Sequence, residues 1–292
     1  MANKITSSTY HLALLKVHFT AVLFGATGVL SVLIKSDADV LVLGRVIIAF
    51  LVLSAYFLLK PIPLTKLSPK AILFQFVLGT LLSLHWVTFY IGVKVGGVAI
   101  GTLGFASFPA FVGLFEMLVF KERLKFREFI LLVCISIGLI LITPEFQFTN
   151  QATQGLLWGI LSGAIYAILA ILNRKNAQYL SGSQASWWQY LVSVIILLPF
   201  SYHKLPVVST LDWFWIACIG LLCTSLAYTL FVSSLGTINA RTAAMIISLE
   251  PVYAIIMAWA WLDETPTLTM LLGGALIILP VAFVNFFNPP NG

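Results

Sequence analysis

A Glu-Pro pair at positions 250 and 251 stands near the middle of an otherwise apolar stretch, Ala240 to Leu262. A carboxylate at the centre of a bilayer costs at least about 2.5 kcal/mol, so it faces water, takes a partner or holds a proton. Pro251 has no N–H and leaves the carbonyl of Ile247 without its helical donor, a second acceptor one turn away. Glu250 is therefore a candidate to bind an amine or a coupling proton; a structural carboxylate paired with a neighbouring helix is the alternative. Pro109 stands in a similar stretch after Phe108 and frees the carbonyl of Phe105. Both prolines are candidate hinges, with a static kink the competing reading. Glu116 follows Pro109 by seven residues, about 10 Å along a helix. It is a second candidate proton site, or a carboxylate in a wet vestibule.

Other residues extend the pattern. His85 and Trp86, with Phe89 and Tyr90 four residues on, give two adjoining faces at helical spacing. A histidine near its ordinary pKa couples movement to protons, although a lone helical histidine is more often a packing residue. Phe105 and Phe108 beside the Pro109 break, with Tyr228 and Tyr253, complete a candidate aromatic wall that attracts ammonium groups by cation–π contact. Arg45, inside another apolar run, is a candidate for a substrate carboxylate or for neutralising Glu250; a locally paired arginine is equally compatible. Arg45 and Glu250 together suit a zwitterion. Enzymatic chemistry finds no support: paired carboxylates, HExxH, and Ser or Cys beside a base are all unrecognisable. Neither a metal nor a cofactor is expected, and without a Walker A motif any driven movement would use a gradient. Cys134, Cys218 and Cys223 lie in apolar runs without metal-ligand spacing.

These residues must be held by membrane spans. Of 292 residues, 60% are hydrophobic and 9% charged, whereas a soluble domain needs roughly 25% charged residues to face water. Ten runs approach the roughly 20 residues that cross a hydrocarbon core: Leu12–Ile34, Val40–Leu59, Ala71–Val93, Val98–Phe120, Phe129–Ile142, Gly155–Asn173, Ala185–Tyr202, Trp213–Leu235, Ala240–Leu262 and Leu268–Phe287. The fifth is short and borrows Phe126 at its start. Connections are brief, so residues 1–292 form a single transmembrane domain. With the N-terminus inside, Lys4, Lys16, Lys60, Lys66, Lys70, Lys121, Arg123, Lys125, Arg127, Arg174, Lys175 and Arg241 face the cytoplasm. Only Lys35, Lys94 and Lys204 then lie outside, an asymmetry that puts both termini in the cytoplasm. The net charge of +6 forms no basic stripe with interleaved aromatics, so nucleic acid is not an expected partner.

Sliding the chain against itself by 142 residues lays Pro109 on Pro251, Glu122 on Glu264, Trp86 on Tyr228 and Phe89 on Phe231. Phe24-Gly25 matches Trp158-Gly159 at a slightly different offset. The repeats are 12–142 and 155–287, each of five spans, and an odd number inverts the second against the first. The loops agree: Lys121-Glu122-Arg123-Leu124-Lys125 is basic, whereas Asp263-Glu264-Thr265-Pro266 has no base. Gly155, Gly159 and Gly163, with Ala21 and Gly25, form small-xxx-small tracks for close helix approach. The expected fold is all-α, ten transmembrane helices as two inverted five-helix repeats.

In the Phe/Trp-Gly of each first helix, the paired prolines and the glutamates closing those helices, the chain resembles the drug/metabolite transporter superfamily, in its EamA-type ten-helix branch. The likeness runs from about Val17 to Phe287. It implies secondary transport, often export, through a cavity lined by the third, fourth, eighth and ninth helices. The resulting expectation is a multi-pass carrier in the plasma (inner) membrane, moving small polar metabolites by alternating access. Amino acids or related amines lead the substrate classes. A cationic drug/proton antiporter and a non-transporting scaffold or receptor stand as alternatives. The small-molecule substrate and the lipid bilayer are the expected partners; homodimerisation is left open.

Overall fold

The computed structural model describes residues 7–60, 62–120, 126–142 and 147–286. Ten membrane helices run through the described residues. They are α1 (Ser7–Val32), α2 (Ala38–Leu59), α3 (Pro69–Gly96), α4 (Val98–Phe105 and Phe108–Phe120), α5 (Phe126–Ile142), α6 (Gln151–Asn176) and α7 (Gly182–Ser201). After a 3₁₀ turn, Tyr202–Val207, come α8 (Thr210–Cys218, a π-helical stretch Ile219–Leu226, and Ala227–Ser234), α9 (Ala240–Ile247 and Glu250–Leu262) and α10 (Leu268–Phe286). Eight of the ten are long and apolar enough to cross a membrane, and the short ones are α5 and α10. Helices satisfy their own backbone groups, which is why a chain this apolar folds into them. The protein is a multi-pass, all-α membrane protein built as two inverted five-helix repeats.

The helix starts follow local chemistry. Ser68, Asn150, Ser181, Ser209 and Asn239 each accept a hydrogen bond from a backbone N–H in the first turn of the helix that follows. α2 and α4 lack such a cap: Asp37 makes no capping bond, and the N-cap of α4, Gly97, has no side chain to offer. Glu264, from the α9–α10 connection, supplies the acceptor instead: its Oε1 takes the Val98 N–H at 3.2 Å. Gly97 has φ +85°, which favours glycine, and a Cβ there would sit 2.5 Å from that oxygen and push the Glu264 carboxyl off the Val98 N–H.

The bundle has an upper end, carrying connections 33–37, 202–209 and 263–267, and a lower end, carrying 62–68, 177–181 and 235–239. The upper end is tied by polar side chains. Asp212 accepts from the backbone N–H groups of Lys35 (3.2 Å) and Ser36 (2.8 Å), and from Ser36 Oγ (2.5 Å). Lys204 pairs with Asp37 and Asp39 at 2.9 and 3.0 Å. Lys94 donates to the Ile34 carbonyl at 2.6 Å.

The repeat is visible in the backbone at the two helix breaks. In α4, Ala106 N–H donates to the Thr102 carbonyl, Ser107 to Gly104, and both Ala110 and Phe111 to Ser107. In α9, Ser248 donates to Ala244, Leu249 to Ile246, and both Val252 and Tyr253 to Leu249. Every one of these pairs is related by 142 residues. Each break lies just before a proline, where the missing N–H forbids a continuous ladder.

Glycines set the packing across the repeats. A Cβ on Gly159 of α6 would meet the Gly101 carbonyl at 2.5 Å and Phe105 N at 3.1 Å; one on Gly163 would meet the Phe105 carbonyl at 3.0 Å. α6 thus lies directly against α4 and its break. A Cβ on Gly25 of α1 would meet Tyr253 Cβ at 2.8 Å and the Glu250 carbonyl at 3.0 Å, so α1 lies against α9 in the same manner. Backbone contact of this kind gives van der Waals attraction where lipid supplies no hydrophobic drive.

Candidate functional site

A small cavity lies at the level of the two breaks. Phe24 and Thr27 of α1, Arg45 of α2, His85, Trp86 and Phe89 of α3, Phe105 of α4 and Glu250 of α9 line it. Its volume is about 20 Å³, room for about one water, since a water needs roughly 10–15 Å³ by this measure. The cavity in this contracted form is too small for a metabolite.

Arg45 is 1% exposed, so it does not snorkel. Its Nε donates to Thr224 Oγ1 at 2.7 Å, one terminal nitrogen donates to Tyr90 Oη, and the other to the Cys223 carbonyl at 3.4 Å. Its guanidinium also stacks 4.1 Å from the centre of the Trp86 ring. The π-helical stretch of α8 makes this arrangement. The Thr224 hydroxyl donates back five residues to the Ile219 carbonyl at 2.9 Å, leaving its oxygen lone pairs for Arg45. Trp86 is held in turn by Tyr190 and by the edge of Tyr228, and Tyr190 Oη donates to the Thr224 carbonyl at 2.8 Å.

Glu250 is 3% exposed and opens the upper segment of α9, at the positive end of that segment's dipole. Among the described residues none hydrogen-bonds to its carboxyl group, and Arg45, which lines the same cavity, lies beyond ion-pair distance. A guanidinium and a carboxyl group thus line one cavity with no ion pair between them.

His85 is fixed from one side. Its Nδ1 lies 2.8 Å from Ser162 Oγ, and the Ser162 hydroxyl proton goes to the His85 carbonyl at 2.9 Å. The proton between ring and serine must then sit on Nδ1, which leaves Nε2 as the imidazole's exchangeable position. The ring stacks on Tyr166 at 4.4 Å and packs 5.4 Å from Phe105.

Of the residues singled out from sequence, Arg45, His85, Trp86, Phe105 and Glu250 come together around the cavity. Tyr90 stands behind Arg45 as its hydrogen-bond partner. Phe108 stacks on Phe105 one layer back. Tyr228 belongs to a buried polar triangle: its Oη donates to Gln189 Oε1 (2.6 Å), Gln189 Nε2 to Asn173 Oδ1 (2.7 Å), and Asn173 Nδ2 to Tyr228 Oη (3.2 Å). Tyr253 turns to Gly25 at the α1–α9 contact. Pro109 and Pro251 sit at the breaks. The Glu116 side chain lies outside the described residues. Phe24, Thr27 and Phe89 line the cavity without having been singled out as wall residues; Phe24 precedes the small residue Gly25, a spacing that pointed to it. No group of three or more His, Cys, Asp or Glu suited to a metal occurs among the described residues.

A second, larger pocket of about 310 Å³ opens at the upper end between Val32, Val93, Lys94, Gly97, Leu262 and Glu264. Burial pushes the Glu264 carboxyl above its ordinary value, against the Val98 N–H, which draws it down. Its Oε2 is buried without a partner among the described residues.

The sequence profile of the EamA-like transporter family matches residues 11–143 and again residues 153–286. The chain belongs to this family. The double match falls on the two halves related by the 142-residue offset. Among curated proteins, the uncharacterized transporter YxxF of Bacillus subtilis (strain 168) is 25% identical over 283 residues, covering 95% of this chain and 91% of that one. The uncharacterized transporter YdfC of the same strain is 24% identical over 247 residues, 83% of this chain and 80% of its own. A solved crystal structure superimposes with a TM-score of 0.71 over 94% of this chain and 96% of the other. At 16% identity that likeness is one of fold. The EamA-like transporter is therefore a membrane transporter by family, and the chemistry of its cargo has to be read from its own cavity.

Proposed function

We propose that this EamA-like transporter is a secondary carrier of small amine-bearing metabolites, amino acids foremost, exporting them across the plasma membrane by alternating access. The observation that carries the reading is the pair Arg45 and Glu250, a guanidinium and a carboxyl group lining one cavity with no ion pair between them. A zwitterion's ammonium supplies the partner that Glu250 lacks, and its carboxylate is drawn to the positive charge of Arg45, whose own hydrogen bonds stay in place. Trp86, Phe89 and Phe105 favour the ammonium by cation–π attraction and exclude water around it. The excess of Lys and Arg in the lower connections supports a cytoplasmic lower end and cytoplasmic termini. Breaks at Pro109 and Pro251 are the hinges of this scheme.

A cation/proton antiporter is the second reading, favoured by the Glu250 carboxylate, which no described residue neutralises at contact distance. Both readings are tested by counterflow in proteoliposomes loaded with amino acids, monoamines or organic acids, with Glu250→Gln alongside. Saturable exchange of amino acids that Glu250→Gln abolishes supports the carrier. Exchange of bulky cations that an imposed pH gradient drives uphill moves the assignment to the antiporter. Exchange that survives Glu250→Gln removes the carboxylate from the mechanism. Folded protein that exchanges none of these compounds refutes the carrier and points to a scaffold or receptor.

A further inference from the structure

Tyr166 of α6 is the buried polar group that the site described so far does not use. It is 1% exposed, and its Oη has no partner among the described residues. A buried unpartnered hydroxyl is a standing cost that phenylalanine would not carry. The Tyr166 ring stacks on His85 (4.4 Å) and on Phe231 (5.3 Å), each at 28°. Its remaining neighbours, Phe105 and Phe108 at 5.5 and 4.9 Å, are the residues that bracket the break of α4. Phe105 lines the cavity and Tyr166 lies directly behind it. Tyr166 thus packs on two rings, His85 and Phe105, that line the cavity together with Glu250.

We propose that Tyr166 Oη and the Glu250 carboxylate form a two-point recognition site for a protonated primary amine, covered by Phe105 in this contracted state. Widening at the α4 break moves Phe105 and Phe108 off the phenol, which then accepts one ammonium N–H while Glu250 accepts another. A cation with no N–H, such as a trimethylammonium, finds the aromatic wall but cannot make the Tyr166 bond. The site therefore selects primary amines and α-amino acids over their quaternary analogues. The inference deepens the carrier reading by naming the group that the same cavity selects.

The test is ligand binding, read as a melting shift of purified protein by intrinsic tryptophan fluorescence. The probes are a panel of L-amino acids and primary monoamines, each beside its N,N,N-trimethyl analogue. Wild type prefers the primary amine, and Tyr166→Phe weakens that member about tenfold, the value of a hydrogen bond to a charged group, while leaving the trimethyl member unchanged. Without any probe, Tyr166→Phe melts no lower than wild type, because its hydroxyl has no partner to lose. Glu250→Gln weakens both members of each pair. The proposal is overturned if Tyr166→Phe keeps the full preference, if it melts several degrees lower without probe, or if wild type binds no probe. Binding without counterflow refutes the carrier and leaves this site standing. Counterflow whose amine preference survives Tyr166→Phe refutes this site and leaves the carrier.

Discussion

Adding one methyl group at Gly159 tests whether α6 really rests on the backbone of α4. The Cβ of Gly159→Ala would lie 2.5 Å from the Gly101 carbonyl oxygen, 3.1 Å from Gly104 Cα and 3.1 Å from Phe105 N. All three are main-chain atoms, so no side chain can swing aside, and the helices must separate by several tenths of an ångström. Overpacking of a dense core costs about 1–3 kcal/mol, and rigid neighbours rule out its lower end, giving about 2 kcal/mol. Helix propensity offsets little of this, because a span in lipid stays helical even when it leaves its neighbours. On the scale of soluble domains of similar size, that cost lowers the melting temperature by roughly 4 to 8 °C. The assay is a melt by intrinsic tryptophan fluorescence in one detergent at one protein concentration. Gly113→Ala is the control, since a Cβ there meets nothing within 4 Å and should leave the melt unchanged. If Gly159→Ala also melts like wild type, the close approach of α6 and α4 is wrong, and with it the placement of Tyr166 behind Phe105.

Two further perturbations separate charge from shape. Arg45→Lys keeps the positive charge opposite Glu250 but loses the three-way fork to Tyr90, Thr224 and the Cys223 carbonyl, and the stack on Trp86. It should destabilise by about 2 kcal/mol, seen in the same melt, and a wild-type melt would refute the fork. Glu264→Gln removes a half-buried charge while keeping an oxygen for the Val98 N–H. Because burial raises the carboxyl in the folded state, its favourable contribution is complete below the unfolded value of about 4.5 and is lost as pH rises through the folded value. The substitution should therefore raise the melting temperature at neutral pH, with the gain vanishing as pH falls below 4.5; a gain independent of pH would refute the burial argument.

Much of the architecture is legible in the sequence because membrane spans declare themselves by length and charge, and because the repeat puts Pro and Glu at a fixed offset. The breaks at Pro109 and Pro251 follow from the missing N–H, and the hydrogen-bond pattern around them repeats residue for residue. The inward faces are less legible. A span that is apolar on every side has no polar face to mark what it turns to lipid, so residues such as Thr27 and Tyr166 look like any other span residue. A usable signal was present in α6, where Gly155, Gly159, Ser162, Gly163 and Tyr166 fall on one face at helical spacing. The small residues mark the face that meets α4, and a serine and a tyrosine on it are the His85 partner and the phenol behind the cavity. The partners of Arg45 had no such signal: Thr224 and the Cys223 carbonyl reach it only because α8 adopts a π-helical stretch that its apolar sequence does not announce.

The two halves agree in backbone and differ in what they grip. α6 lies mainly along Val98–Phe105, the upper segment of α4, whereas α1 lies mainly along Glu250–Leu262, the upper segment of α9. Under the 142-residue relation Val98–Phe105 corresponds to Ala240–Ile247, the lower segment of α9. Equivalent helices therefore hold non-equivalent segments of their partners, and both grips fall at the upper end. Exchanging the arrangements of the two halves would move both grips to the lower end, past the breaks at Pro109 and Pro251. In the proposed alternating-access cycle that exchanged arrangement is the opposite-facing state, since it would reuse the same kinds of contact. The chemistry does not exchange with it: Glu250 corresponds to Phe108, and Asn239, which caps its own helix, corresponds to Gly97, which needs Glu264. In the proposed alternating-access cycle, motion would be the symmetric property of this fold and recognition the asymmetric one, concentrated where the carboxyl group of one repeat meets the aromatic residues of the other.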